Sequence, residues 1–203
     1  MSITSSEILA AVNNNLHRSE TDIDEQIRAA LKVLSGAGNF LAAEDGSQTL
    51  SLADTYLDEP ADYKALEAIV LNDGTNDGEP LSEITFGEYL GRKEDESSAD
   101  YDEPLEYAHF NNRFYVEPAA DGSYTATIYY YRYHPDSITT ILFDDQWRDA
   151  IYSLTSYLVA KKFGLSRYIE IYGGNDVGAL ALALSKVGHN ENIKQHFVKY
   201  RDI

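Results

Sequence analysis

Few residues in this chain have the types and spacing to do chemistry. Asp73-x-Thr75-x-Asp77-Gly78 has the opening of a calcium loop, in which oxygens at alternate positions and a turn glycine wrap a hard cation. The twelfth position of such a loop needs a bidentate glutamate and here holds Ile84, and flanking helices are missing, so a solvated turn is expected. Gly173-Gly174-Asn175-Asp176-Val177-Gly178 precedes a helical pattern and could cradle a phosphate on backbone N–H groups. It has no following Lys-Ser/Thr and reads as a helix break. Asp144-Asp145 and Glu94-Asp95-Glu96 pair carboxylates, as glycoside hydrolysis does, but sequence neighbours do not aim two carboxyls across one bond. They are expected to cap a helix and to line a solvated loop. No two of His17, His109, His134, His189 and His196 lie three to five apart, as paired metal ligands on one helix would. His189 and His196, seven apart, lack a carboxylate partner at ligand spacing, and no serine sits in a nucleophile-elbow pattern. The expectation is no catalytic residue, no cofactor and no metal.

Composition narrows the alternatives. With 203 residues, 43% apolar and 12% aromatic, the chain can bury a core as one domain. The absence of cysteine rules out disulfides, thiol nucleophiles and cysteine-ligated zinc. No apolar run approaches the roughly 20 residues of a membrane helix. MSITSSEILAAVNNN lacks the basic and apolar regions of a signal peptide, so use without export is expected. The formal charge is −18, and residues 44–106 carry 19 of the 34 acids against Lys64, Arg92 and Lys93. Tight DNA binding needs clustered cations to displace counterions, and the acidic middle argues against it. Such a surface suits a solvated acidic loop that keeps the protein soluble. The last eighteen residues run the other way, with Lys186, Lys194, Lys199 and Arg201 against Glu191 and Asp202.

The elements follow from periodicity and punctuation. A first helix, capped by Ser5 or Ser6, would bury Ile8, Leu9, Val12 and Leu16. A second, capped by Thr21 or Asp22 with capping-box spacing to Glu25, would bury Ile23, Ile27, Ala30, Leu31 and Leu34, ending at Ser35-Gly36-Ala37-Gly38. A hairpin is expected from Asn39-Phe40-Leu41 through Asp45-Gly46 to Thr49–Leu52, then a strand over 65–71 and a short helix over 84–90. Residues 91–103, charged and nearly free of apolar anchors, predict a mobile loop. Asp144-Asp145 would open a third main helix burying Trp147, Ile151, Leu154 and Leu158. A short helix over 165–172 and a last one from Asn175 to Val187 would follow. The fold class is α+β: a helical bundle from N- and C-terminal helices with an antiparallel β-rich insertion. As boundaries, 1–38 and 140–188 form the bundle, 39–137 the insertion and 189–203 a C-terminal arm of one domain, 1–203.

Residues 104–134 are the richest stretch. Asp121-Gly122 is a tight-turn pair between Arg113–Val116 and the run Tyr124–Tyr133, so these read as consecutive strands. One face of the run carries Tyr124, Ala126, Ile128 and Tyr130, and the other Thr125, Thr127, Tyr129, Tyr131 and Tyr133. Neither face is charged before Arg132, so both are expected to be covered.

The order Pro104-Leu105-x-Tyr107-Ala108, polar turn, Arg113-Phe114-Tyr115-Val116-x-Pro118, Asp121-Gly122-x-Tyr124-Thr125, Ile128-Tyr129-Tyr130-Tyr131, then a helix opening at an acidic pair, resembles the head–tail adaptor (neck or connector) proteins of tailed bacteriophages. The likeness spans roughly residues 39–185 as architecture and 104–133 as residues. It implies a virion protein of the neck, made in the host cytoplasm and assembled as a homo-oligomeric ring, typically of twelve subunits. Such a ring joins the portal protein to the tail or further neck proteins and lets DNA pass without tight binding, with no membrane. Phe197, Lys199, Tyr200 and Arg201 of the arm would dock on the portal, and Tyr129, Tyr131 and Tyr133 would contact a neighbouring subunit or the tail. The alternative is a β-rich carbohydrate- or protein-binding module. In that case the Tyr129/Tyr131/Tyr133 face would lie exposed, whereas the adaptor buries it.

Overall fold

The computed structural model describes residues 3–74, 77–94 and 100–173. Two helices come first, α1 (Ser5–Leu16) and α2 (Asp24–Ala37). Five strands follow: β1 (Ala42–Leu50), β2 (Tyr56–Asp58), β3 (Tyr63–Asn72), β4 (Asp77–Pro80) and β5 (Ser82–Glu83). Then come α3 (Phe86–Lys93), β6 (Glu106–Phe110), β7 (Arg113–Glu117) and β8 (Tyr124–Arg132). A 3-10 turn (Asp145–Trp147) leads into α4 (Arg148–Lys162) and α5 (Ser166–Gly173). The class is α+β, and the chain divides into two compact units, Ala42–Arg132 and the segments on either side of it. The expected last helix over 175–187 and the arm over 189–203 lie outside the described residues.

In the helical unit the caps differ from expectation. Thr4, one residue before the predicted serines, closes a reciprocal box on α1. Its hydroxyl accepts from the Glu7 N–H at 3.3 Å, while its own N–H donates to the Glu7 carboxylate at 2.9 Å. The cap position of α2 is Ile23, buried in the core, rather than Thr21 or Asp22. Asp22 instead accepts from the Asp24 N–H at 3.1 Å. Burying an isoleucine there outweighs a side-chain cap worth about 1 kcal/mol. One apolar core unites Ile8 and Val12 of α1, Ile27, Leu31 and Leu34 of α2, and Ile151, Leu154 and Val159 of α4. Trp147 completes it, its ring 4.4 Å from Phe40 and 5.1 Å from Phe143 between centroids. His134 is buried and ties the incoming segment down. Its Nε2 accepts from the Leu142 N–H at 3.1 Å, its Nδ1 sits 2.8 Å from the Pro135 carbonyl, and its backbone N–H donates to Ser35 Oγ at 3.0 Å.

The β unit is two four-stranded sheets sharing one core. The first sheet has the order β1-β8-β3-β4 and the second β2-β7-β6-β5. All pairings between these strands are antiparallel except the two-residue β5–β6 contact. Leu50, Ile69, Ile128 and Tyr130 from the first sheet meet Leu57, Tyr107, Phe114 and Val116 from the second. The expected hairpin around Asp45-Gly46 is instead one strand, β1, with an irregularity between Asp45 and Gln48. Both of its halves pair with β8, Ala42–Asp45 against Tyr131–Ile128 and Gln48–Leu50 against Ala126–Tyr124. The turn-forming residues supply a bulge, not a reversal.

The Asp121-Gly122 turn joins consecutive strands that do not pair. Both sides of β8 are taken, by β1 and β3, so the chain crosses from β7 in the second sheet to β8 in the first. The true hairpin in this stretch is β6–β7. Asn111 and Asn112 turn it with φ of 50° and 61°, the left-handed pair that a two-residue hairpin requires. The 91–103 segment is also only partly a loop. Residues 91–93 finish α3, and Asp102 forms a bridge to Ala120. Arg92 pairs with Glu106 and Lys93 with Glu117, holding the end of α3 to the sheet, while 95–99 lie outside the described residues.

Candidate functional site

Among the described residues, parts of the spacings that could do chemistry make structural contacts, while Asp95-Glu96 lie outside the described residues. Asn72 Oδ1 accepts from the Gly74 N–H at 2.6 Å, and Gly74 has φ +88°, so the echo of a calcium loop begins as an ordinary asparagine turn. Asp144 and Asp145 sit at the start of the 3-10 turn, and Asp145 holds Arg148 at 2.5 Å in front of α4. Gly173 ends α5, and the remainder of the glycine-rich stretch lies outside the described residues. Among the described residues no group of three or more His, Asp or Glu side chains could hold a metal ion. His109 bonds Glu59 at 2.7 Å and stacks on Phe114. No described helix is long and apolar enough to cross a membrane.

What remains is surface. On β8 burial alternates strictly: Tyr124, Ala126, Ile128 and Tyr130 face the shared core, and Thr125 and Tyr129 lie exposed. Within one copy of the chain the sandwich covers one face of each sheet, so cover for the outer face of β8 has to come from another copy or a partner. Tyr130 is anchored at its polar end, its hydroxyl donating to Asp62 at 2.7 Å. Burial, then this carboxylate, pushes its phenol up to about 12. Burial likewise pushes the Tyr107 phenol up to about 12.

Of the three tyrosines expected to touch a partner, Tyr129 is 40% exposed and Tyr131 half-buried on the outer face of the first sheet, beside Ala42, Glu44, Ala65 and Ala68. Tyr133 is 45% exposed and lies past the end of β8, in the helical unit. Phe197, Lys199, Tyr200 and Arg201 lie outside the described residues.

A second aromatic surface was not foreseen. On the outer face of the second sheet Tyr56 of β2 lies 6.1 Å from Tyr115 of β7, and α3 lays Phe86 5.2 Å from Tyr115. Phe86 stacks in turn on Phe110 of β6 at 4.2 Å, with the rings 12° apart. The Arg113 guanidinium caps the row, 4.1 Å from the centre of the Tyr56 ring, and reaches Asp58 at 3.3 Å. Phe110 is 52% exposed and Tyr56 40%. The four rings come from four elements, so no local pattern announces them. The available signal was parity across the Asn111-Asn112 turn, which puts Phe110 and Tyr115 on one side of the hairpin.

Charge divides as sharply as structure. Residues 42–132 hold 21 of the 34 acids and five of the 16 basic residues, a net −16, which leaves −2 for the rest of the chain. The family comparison spans both units: residues 3–172 match the SU10 adaptor protein family. The chain belongs to that family. Its members are structural phage adaptor proteins, which makes this chain a virion component working among head–tail components. A comparison with curated proteins finds no match.

Proposed function

We propose that the protein is a head–tail adaptor whose copies form a ring, of twelve subunits as in the proteins it resembles, between portal and tail. The observation that carries this reading is the family match running through both compact units. The N-terminal helices and those after Tyr133 form a bundle that makes lateral contacts. The β insertion presents aromatic surface outward, and the two together act as one domain. The C-terminal arm docks on the portal, with Phe197 and Tyr200, three residues apart, as anchors and Lys199 and Arg201 setting register. Tyr129, Tyr131 and Tyr133 serve contacts with a neighbouring subunit or the tail. DNA passes without adhering, because a chain of net charge −18 repels phosphate. Chemistry is not part of the role, and the ring carries no cofactor.

Deleting residues 189–203 tests the reading. The expected result is a free subunit with nearly unchanged melting that no longer attaches to portal-bearing heads. Normal attachment of the truncated chain, or a collapse of its melting temperature, defeats the arm's assignment. Failure of the full-length chain to attach defeats the adaptor reading itself.

The exposure of Tyr129 favours a second reading, a β-rich module that binds carbohydrate or protein. A glycan panel separates the two: sugar binding abolished by Tyr129→Ala supports the module, and no binding supports the adaptor.

A further inference from the structure

The aromatic row on the second sheet is an interaction surface beyond those considered above, and its surroundings indicate its occupant. Three of its features are independent. First, Phe110 and Tyr56 expose large apolar area at the two ends of a row of rings held in place by mutual contact, so little side-chain freedom is lost on binding. Second, the row already takes a cation, since Arg113 sits 4.1 Å from the Tyr56 ring centre while paired to Asp58. Third, the β unit holds sixteen more carboxylates than Lys and Arg, and Arg92, Lys93, Arg113 and Arg132 are already spent on Glu106, Glu117, Asp58 and Asp62.

Strand addition is not the mode of docking on the β2 side. The Gln48 side chain occupies the β2 backbone as a strand would, donating to the Asp58 carbonyl at 2.8 Å and accepting from the Asp58 N–H at 2.8 Å. Recognition falls to side chains.

We propose that this face binds a basic segment of a different head–tail protein, one that interleaves Lys or Arg with apolar anchors. The anchors pack on Phe110 and the Tyr56 end of the row, and the cations are drawn by the net negative charge of the β unit. A second copy of this β unit fits poorly, because it would bring another net −16 against the first. Nucleic acid fits worse for the same reason. The inference rests on the adaptor reading only for the partner's place in the virion.

The test uses the full-length chain and a fluorescent heptapeptide alternating lysine and phenylalanine, with alternating lysine and glycine as the control of equal charge. The phenylalanine peptide is expected to bind about tenfold tighter, the size of one well-buried anchor. Phe110→Ala and Tyr56→Ala, at exposed positions, should each erase that advantage, while Tyr129→Ala on the other sheet keeps it. Equal binding of the two peptides, or an advantage that survives both substitutions, overturns the proposal. So does self-association of the peptide-free chain that Phe110→Ala abolishes, since the occupant would then be a second copy. Attachment of the same chain to portal-bearing heads is read separately, so loss of peptide discrimination with attachment intact condemns this surface alone.

Discussion

Tyr130 combines at one residue the two demands the β unit places on its tyrosines, an apolar ring in the core and a satisfied hydroxyl at its margin. Its ring stacks 6.1 Å from Tyr63, and its hydroxyl reaches Asp62. Tyr130→Ala should cost about 3–5 kcal/mol in a denaturant titration, as truncation of a large buried aromatic does. Tyr130→Phe, which keeps the ring, should cost about 1–2 kcal/mol for the lost hydrogen bond. The same residue sets an alkaline limit. Its folded phenol titrates above the ordinary value near 10, so its contribution is intact below about pH 10. That contribution is lost as pH rises towards 12, because the unfolded chain ionises first. Comparing stability at pH 9 and pH 11.5 should show a fall that is smaller in Tyr130→Phe. Residual alkaline loss is expected even there, because Tyr107 titrates in the same range. The inward face of β8 was legible in the sequence because alternation of Tyr, Ala, Ile and Tyr is a period-two signal. The state of its outward face was not, since uncharged residues sit equally well against solvent, a helix or a neighbour.

At the scale of elements, α3 is held by a capping box at one end and ion pairs at the other. Thr85 and Glu88 bond reciprocally, the Thr85 N–H reaching the Glu88 carboxylate at 2.8 Å and the Glu88 N–H reaching the Thr85 hydroxyl at 3.2 Å. Thr85→Ala should destabilise the helix by about 1 kcal/mol and raise hydrogen exchange across 86–93 before any global loss. The Thr85 backbone N–H, then its hydroxyl, holds the Glu88 carboxyl below the ordinary range. The box is therefore intact above that range and lost as pH falls through the depressed value, and Thr85→Ala should flatten this acid sensitivity. Helices were well read from sequence: the stripes of α1, α2 and α4 bury the predicted residues except Leu9 and Leu158, which are half-buried, with caps displaced by a residue or two. Strand partners were not. Asp-Gly pairs at 45–46 and 121–122 became a bulge and a crossover, because a turn signal states how the backbone can bend and not which strand already occupies a neighbour's edge. β2, β4 and β5 are too short for any period to show, and the Phe86–Phe110–Tyr115–Tyr56 row exists only after those strands are placed.

At the scale of the whole molecule, the partition of charge between the units gives salt two opposite effects. In the proposed ring, copies brought side by side would repel mainly through β units of net −16, and the rest of the chain, at −2, would add little. Added salt shortens the reach of that repulsion, to about 10 Å at 0.1 M, so self-assembly should strengthen as ionic strength rises. Docking of a basic partner on the same β unit should weaken over that range, because it depends on the attraction being screened. Sedimentation of the free chain and peptide affinity, measured across one salt series, should thus move in opposite directions. A subunit with both proposed contacts should stay dispersed in dilute medium while keeping its affinity for a cationic partner, and ionic strength would then decide whether a copy meets its neighbours or its partner first.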